Sequence, residues 1–168
     1  MIQERVQELG RQITQDYQGR QLVLLGVLNG AFIFAADLCR AIDLDLTIDF
    51  ISVTSYGKST VSSGTIRLLK EPSIDLDGKD VLLVEDIIDS GHTIAAVLQM
   101  LETRQPKTLK VCALLDKPER REANVPVNYL GFTIPNKFVF GYGLDLDEYY
   151  RNLPFVGVVD LDKYKPSS

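Results

Sequence analysis

The sequence predicts an α/β fold, a parallel twisted sheet flanked by helices. Short apolar runs alternate along the chain with stretches of helical periodicity, which is the pattern of such sheets. Polar residues directly follow three of the apolar runs, namely Asn29-Gly30, Glu85-Asp86 and Asp116-Lys117. Since ligands of parallel sheets bind beyond the carboxyl ends of the strands, we expect these three pairs to meet in one crevice.

Two helices and two strands are predicted in the first third of the chain. They are a helix over 2–16, a strand over 21–28, a helix over 31–41 and a strand over 46–53. The first helix is indicated by apolar residues spaced three or four apart, and the first strand by a continuous apolar run. In the second strand, Leu46, Ile48 and Phe50 alternate with Thr47 and Asp49. The polar segment 55–64, which is bounded by glycines, predicts a mobile loop.

The rest of the chain continues the alternation. It predicts a strand over 81–84, a helix over 93–101, a strand over 109–115, short strands around 127–130 and 138–140, and a final strand over 155–160. No linker or internal repeat divides the 168 residues, and this length suits one domain. We therefore expect a single domain over residues 1–168, with a small flap formed mainly by the N-terminal residues and residues 127–168.

The composition excludes some classes of partner. The net charge is −5, and the 18 Lys and Arg residues are scattered along the chain. This argues against binding to nucleic acid or to an anionic membrane, both of which require a basic patch. No apolar stretch reaches the ~18 residues that span a membrane, and Cys39 and Cys112 both lie in apolar segments. We expect a cytoplasmic protein with two reduced thiols.

The segment Val81–Thr93 carries the strongest functional signal. A buried strand ends in two adjacent carboxylates, Glu85 and Asp86, and a third carboxylate, Asp89, follows. The turn Ser90-Gly91-His92-Thr93 then enters a helix, so its hydroxyls and free N–H groups form a cradle for an anion. Carboxylates beside such a cradle predict a ligand with phosphate and sugar hydroxyls, and a metal ion as a further candidate. The glycine-rich loops of kinase-type and dinucleotide-binding proteins are absent from the sequence.

Val81–Thr93 resembles the signature with which type I phosphoribosyltransferases bind 5-phosphoribosyl-1-diphosphate (PRPP), and its form looks like the hypoxanthine-guanine branch. Further segments resemble the pyrophosphate loop, the catalytic loop and the base-binding flap of that branch, in this order: Gly26–Gly30, Ser55-Tyr56, Leu115–Pro118, Ile134–Val139, Gly141–Asp145 and Arg151–Pro154. The resemblance implies the fold of that family and a purine-salvage enzyme. Such an enzyme transfers the 5-phosphoribosyl group of PRPP to hypoxanthine or guanine, gives IMP or GMP and pyrophosphate, and uses Mg²⁺.

The resemblance also implies a role for each candidate residue. Asp89 is the expected general base at the purine nitrogen. PRPP and its phosphates are assigned to Asn29, Gly30, Ser55, Tyr56, Asp89, Ser90, Gly91, His92, Thr93 and Arg151. The ribose is assigned to Glu85 and Asp86, the purine to Lys117, Phe138, Val139 and Asp145, and the metal to Glu85, Asp86 and Asp145. A cis peptide bond between Leu28 and Asn29 and a homodimer or homotetramer are further implications.

Lys117 predicts the choice of base. Its ammonium can donate to a 6-oxo group but meets a 6-amino group donor to donor, so we expect hypoxanthine and guanine as substrates and adenine as a very poor one. Two positions depart from the family pattern: Asn29 stands where Lys is usual, and Asn136 where an acidic residue is common. The first removes one positive charge toward the pyrophosphate. His92, the only histidine, is expected to contribute a backbone N–H and not to catalyse.

Simpler structural interpretations stay open at each of these positions. They are a plain helix N-cap at 90–93, solvated acids at Glu85 and Asp86, an Asx turn at Asp89, a surface lysine at Lys117, a core aromatic at Phe138, and surface ion pairs at Asp145 and Arg151. Among functions, a xanthine-guanine or pyrimidine phosphoribosyltransferase on the same fold is the nearest alternative. A non-catalytic regulator that senses PRPP or a nucleotide is another.

Overall fold

The computed structural model describes residues 1–55 and 66–164. Its elements, in chain order, are α1 (Ile2–Asp16), β1 (Leu22–Leu28), α2 (Phe32–Ala41), β2 (Thr47–Ser55), β3 (Ile66–Lys70), β4 (Asp80–Ile88), α3 (His92–Glu102), β5 (Thr108–Asp116), a 3₁₀ turn (Pro118–Arg120), β6 (Tyr129–Thr133), β7 (Val139–Phe140) and β8 (Gly157–Val158). The three predicted helices are confirmed, as are the strands predicted over 21–28, 46–53 and 109–115.

The main sheet has six strands in the order β3-β2-β1-β4-β5-β6. Its neighbours are parallel except for β2 and β3, which form an antiparallel pair at one edge. The predicted α/β class is therefore confirmed. The chain runs outward from β1 in one direction and from β4 in the other, so the strand order reverses between these two strands. Such a reversal is where open α/β sheets form their ligand crevice.

Apolar side chains cover both faces of this sheet. On one face α1 and α2 pack over inward-facing residues such as Leu24, Leu82 and Leu114. On the other face α3 packs over the alternate residues of the same strands, such as Leu25 and Leu83. Because successive side chains of a strand point to opposite faces, a strand buried on both faces must be apolar throughout. This explains why the central strands appear in the sequence as continuous apolar runs.

Several predicted boundaries are corrected. The strand predicted over 81–84 continues to Ile88, because β5 keeps pairing with it as far as the contact between Ile88 and Asp116. The strand predicted around 127–130 lies at Tyr129–Thr133, where it closes the sheet beside β5. The strands predicted over 138–140 and 155–160 shrink to β7 and β8, which pair with each other in a separate two-stranded sheet.

In β2, the alternation of apolar and polar residues did not predict which side chains are buried. The residues do alternate, but Asp49 is buried while Ile48 is exposed. The Asp49 carboxylate accepts hydrogen bonds from the backbone N–H groups of Ser73 and Ile74, at 2.6 and 2.9 Å. It therefore fixes the connection between β3 and β4, a structural role that the sequence pattern did not reveal.

The peptide bond between Leu28 and Asn29 is cis, as the resemblance implied.

Cys39 and Cys112 are free thiols, and Cys112 is fully buried. None of the helices within the described ranges is both long enough and apolar enough to cross a membrane.

Candidate active site

The site lies at the carboxyl ends of β1, β4 and β5. The pairing between β1 and β4 ends at the contact between Gly26 and Val84, while β4 continues beside β5. From Glu85 onward β4 therefore has a free edge toward β1, and this opening is the crevice. The three polar pairs predicted to meet, Asn29-Gly30, Glu85-Asp86 and Asp116-Lys117, all lie at this end of the sheet.

Glu85 and Asp86 lie inside β4 and are largely removed from solvent. Burial and the neighbouring Asp86 carboxylate raise the pKa of Glu85 well above its usual value. Burial also raises the pKa of Asp86, although hydrogen bonds from Glu85 and from the Ile87 N–H and the charge of Arg151 oppose this. A negative charge on this pair is costly while it faces no partner. The solvated-acid interpretation is therefore wrong, and the pair is suited to a cation or to hydroxyl donors.

Gly30 packs directly against the Asp86 carboxylate. A Cβ atom at this position would overlap the Asp86 side chain, so the loop after β1 can approach β4 only with glycine here. From the last part of the chain, the positive charge of Arg151 opposes the rise that burial causes in the pKa of Asp86. The site thus brings the predicted pyrophosphate loop and the predicted ribose carboxylates together.

Residues 90–93, where the sequence predicts an anion cradle, lie at the start of α3. Gly91 is the N-cap, with φ of 91°, a left-handed conformation that disfavours other residues. A cavity of about 170 Å³ lies over this turn and is lined by Glu85, Ile87, Ile88, Asp89, Ser90, Gly91, Thr93 and Ile94. The N–H groups of the first helical turn have no acceptor within the helix. A phosphate-sized anion can therefore bind here.

The only histidine does not line this cavity. The His92 Nε2 atom lies 2.7 Å from a carboxylate oxygen of Glu122, and its ring is directed to that residue. The backbone N–H of His92 donates to the Ser90 Oγ atom at 3.4 Å. That this N–H serves the cradle, and that the ring takes no part in catalysis, stay predictions.

A second, larger cavity of about 630 Å³ adjoins the end of β5, and Asp89, Lys117 and Phe138 all line it. Lys117 is only 5% exposed, which excludes the surface-lysine interpretation. Its Nζ atom lies 3.6 Å from Asp89 and 5.5 Å from the centre of the Phe138 ring. Phe138 is 65% exposed, so it is not a core aromatic. An ammonium donor beside a free aromatic face suits a flat heterocycle with an oxo group.

Asp145 and Arg151 pair with each other beside the loop after β7. Arg151 donates a hydrogen bond to the Gly143 carbonyl at 2.9 Å, and its guanidinium lies 3.8 Å from Asp145 and 3.5 Å from Glu148. Asp145 also accepts a hydrogen bond from the backbone N–H of Glu148. Both residues thus take part in ion pairs, as the simpler interpretation held, while Arg151 also acts electrostatically on the crevice.

Comparison with known proteins decides the family. A model described as the phosphoribosyl transferase domain matches residues 1–147. This chain belongs to the phosphoribosyltransferase family. The hypoxanthine phosphoribosyltransferase of Escherichia coli K12 is 50% identical over 162 residues, covering 95% of this chain and 91% of the relative. The hypoxanthine-guanine phosphoribosyltransferase of Mycobacterium avium is 50% identical over 170 residues, covering 98% and 84%.

Solved phosphoribosyltransferase structures agree with this placement. A hypoxanthine phosphoribosyltransferase of Staphylococcus aureus superposes with a TM-score of 0.95 at 43% identity, covering 98% of this chain and 89% of its own. A hypoxanthine phosphoribosyltransferase of Trypanosoma cruzi, in complex with the product IMP, superposes with a TM-score of 0.91 at 40% identity, covering 97% and 91%. The resemblance to the hypoxanthine-guanine branch and the expected fold are confirmed.

Asn29 and Val139 do not line either of the two cavities of this phosphoribosyltransferase. Asn29 is exposed in the loop after β1, and Val139 in β7 lines an apolar groove instead of the Lys117 cavity. Ser55 ends β2. Tyr56 lies outside the described residues, as does nearly all of the predicted mobile loop over 55–64.

Sequence reasoning missed part of the larger cavity. Arg120 lines it and donates to Asp89 from its Nε atom at 2.9 Å. The segment Val158–Asp162 forms another wall. Arg120 stands three residues after Lys117, in a charged run that suggested only a surface turn. The wall at 158–162 lies within the predicted flap over 127–168, but none of its residues was assigned to the site, because its place depends on β8 pairing with β7.

Proposed function

We propose that this protein transfers the 5-phosphoribosyl group of PRPP to hypoxanthine or guanine, giving IMP or GMP and pyrophosphate in purine salvage. Asp89 carries the proposal, because it lines both the phosphate-sized cavity and the cavity of Lys117 and Phe138. A ligand with a phosphate at one end and a purine at the other would pass this carboxylate at the bond between them. The curated relatives named above support the same reaction.

Asp89 is placed to take the proton from the attacking purine nitrogen. Its carboxylate oxygens lie 2.9 Å from Arg120 Nε and 3.6 Å from Lys117 Nζ. These two cations hold the carboxylate toward the larger cavity, where the base would bind. A positioned carboxylate of this kind contributes about 10²- to 10⁴-fold to a rate as a general base.

Lys117 and Phe138 would select and orient the base. Phe138 offers an exposed ring face for stacking. The Lys117 ammonium can donate hydrogen bonds but cannot accept them. A 6-oxo group can accept from Lys117, whereas a 6-amino group would leave two donors facing each other. We propose that the backbone of Val139 recognises the edge of the purine, and that Asp145 is a further purine-binding residue.

Glu85 and Asp86 would hold the ribose hydroxyls and a magnesium ion, and Asp145 would bind a second Mg²⁺ on the pyrophosphate. Their buried oxygen atoms are the hard donors that Mg²⁺ prefers, and binding a cation or hydroxyl donors would relieve the cost of their charge. Within residues 1–55 and 66–164, no cluster of three or more His, Cys, Asp or Glu side chains forms a metal site. A bound Mg²⁺ would therefore complete its ligands with PRPP oxygens and water, and it would neutralise charge on the departing pyrophosphate.

The pyrophosphate would lie over Asn29 and Gly30, with Arg151 as the cation on that side. Since Asn29 carries no charge, Arg151 and backbone N–H groups have to supply most of the attraction. Ser55 and Tyr56 are proposed to close over the ribosyl centre and exclude water, which would otherwise compete with the purine.

The proposed setting is a cytoplasmic homodimer or homotetramer that forms one domain with a flap. It would bind neither nucleic acid nor membranes, since the net charge of −5 offers no basic patch.

A direct assay tests the proposed function. The protein is incubated with PRPP, Mg²⁺ and hypoxanthine, guanine, xanthine or adenine, and nucleotide formation is followed by chromatography. We expect IMP and GMP, and turnover of adenine lower by about 10⁴-fold, because a site built for one hydrogen-bond pattern rejects the other strongly. Comparable turnover of adenine would refute the role of Lys117, and no nucleotide with any base would refute the reaction.

A further inference from the structure

Residues 88–91 lead from β4 into α3, and we call them the phosphate turn. The segment Lys117–Ala123 lies against the outside of this turn, and we call it the clasp. Its backbone N–H groups donate to the carbonyls of the turn: Lys117 to Ile88 at 3.0 Å, and Glu122 and Ala123 to Ser90 at 2.9 and 3.0 Å. One clasp side chain joins them, because Arg121 Nε donates to the Asp89 carbonyl at 3.4 Å. The carbonyls of Ile88, Asp89 and Ser90 are thus all held from one side.

These bonds fix the direction of the N–H groups in the turn. A trans peptide unit is planar, and its C=O and N–H point in opposite directions. When the clasp holds the carbonyls of Asp89 and Ser90, it directs the N–H groups of Ser90 and Gly91 away from itself. The 170 Å³ cavity lies on that other side, because Ser90 and Gly91 line it and Arg121 does not. The clasp therefore fixes the direction of the N–H groups in the anion cradle, although no residue of the clasp lines the cavity.

Arg121 is the side chain on which this arrangement depends. It is 22% exposed and its guanidinium is paired with the Asp116 carboxylate at the end of β5. From this anchor its Nε atom reaches the Asp89 carbonyl. Its stem packs beside Gly91, where an added Cβ would lie 3.1 Å from the Arg121 Cδ atom. One planar guanidinium therefore ties the phosphate turn to the end of a core strand, and a lysine cannot reproduce both donors in that geometry.

We infer that Arg121 is a positioning residue for the 5′-phosphate of the substrate. It acts through the peptide unit between Asp89 and Ser90, which it holds with the N–H directed into the cradle. The inference rests on the proposed function, since it assumes that the cradle binds the 5′-phosphate. It assigns a role in phosphate affinity to a residue that contacts neither cavity.

The test compares IMP with inosine, which differ only in the 5′-phosphate. Dissociation constants are measured by isothermal titration calorimetry for the wild type and for Arg121→Gln. We expect the constant for IMP to rise about 10- to 100-fold, as for a lost hydrogen bond from a charged group, and the constant for inosine to stay within about twofold. Equal weakening of both ligands, or no change for IMP, would overturn the inference.

Two further variants separate positioning from folding. Arg121→Lys keeps a cation beside Asp116, so we expect a melting temperature near the wild-type value together with a similar loss of IMP affinity. Full IMP affinity in this variant would contradict the inference, even if Arg121→Gln fails to fold. Arg104→Gln is the matched control, because it also breaks an Arg–carboxylate pair, with Glu71 at 3.5 Å, and should bind IMP as the wild type does. If the wild type itself neither binds IMP nor forms nucleotide, the proposed function is refuted. If the wild type binds IMP and the Arg121 variants bind it equally well, only the inference about Arg121 is refuted.

Discussion

The two ends of this site are built differently; we propose that one binds the phosphate and the other the purine, and we call them the phosphate end and the purine end. The phosphate end is one contiguous segment, Glu85–Thr93, which runs from a core strand into a helix. The purine end is assembled from Lys117 after β5, Phe138 before β7 and the wall at 158–162, which begins in β8. The first is fixed by local sequence and a buried strand, whereas the second depends on how distant segments pack. Asp89 is the residue that both ends share.

Asp89→Asn should produce the largest effect, because it removes the shared group. We expect the single-turnover rate of IMP formation to fall about 10²- to 10⁴-fold, since the amide cannot accept the purine proton. Rapid-quench measurements with saturating PRPP and hypoxanthine would report the chemical step. The exposed Asp43→Asn is a control that should keep the wild-type rate. A near-normal rate in Asp89→Asn would remove Asp89 as the base.

Lys117→Gln should affect mainly the purine end. It replaces a buried charged donor, so we expect kcat/KM for hypoxanthine to fall about 10- to 100-fold while KM for PRPP changes little. Steady-state kinetics with each substrate varied would separate the two. The exposed Lys107→Gln should leave both values unchanged. An equal rise in KM for PRPP would show that the two ends are not independent.

Phe138→Ala tests stacking at the purine end. The expected loss is about 1–3 kcal/mol of base binding, the usual value of an aromatic–base stack. Because Phe138 is 65% exposed, the melting temperature should move little. Hypoxanthine titrations and thermal melts would check both parts. A large drop in melting temperature with unchanged base affinity would identify Phe138 as a structural residue instead.

Glu85→Gln should give the smallest effect and a pH-dependent one. The folded protein raises the pKa of Glu85 above the usual 4.5, so the stability from this group is full below that pH and is lost as pH rises through the folded pKa. The glutamine does not titrate. In metal-free buffer its melting temperature should therefore exceed that of the wild type by a margin that grows as the pH rises above the usual pKa of Glu85.

The exposed Glu119→Gln is the control for this stability profile and should follow the wild type at every pH. A Glu85→Gln profile parallel to the wild type would show that burial of Glu85 carries no electrostatic cost. This would weaken the argument that the phosphate end of the site requires a cation or hydroxyl donors beside Glu85 and Asp86.

The same contrast explains what the sequence could predict. Continuous apolar runs predicted the central strands of the main sheet, and Val81–Thr93 predicted a phosphate cradle, because both depend on neighbouring residues. Arg120 and the wall at 158–162 were missed, since their place in the cavity depends on the 3₁₀ turn and on the short pairing of β7 with β8. The burial of Asp49 was missed because its partners lie more than 20 residues away. Lys117 and Phe138 were assigned through family resemblance and not through any periodicity.

A crystal structure with IMP bound would test the central claim most directly. We expect the 5′-phosphate to accept hydrogen bonds from the N–H groups of residues 90–93. We also expect the base to lie between Lys117 and Phe138, with Asp89 beside a nitrogen of the imidazole ring. A phosphate bound away from the turn, or a base that contacts neither Lys117 nor Phe138, would contradict the claim that one carboxylate joins the two halves of the site.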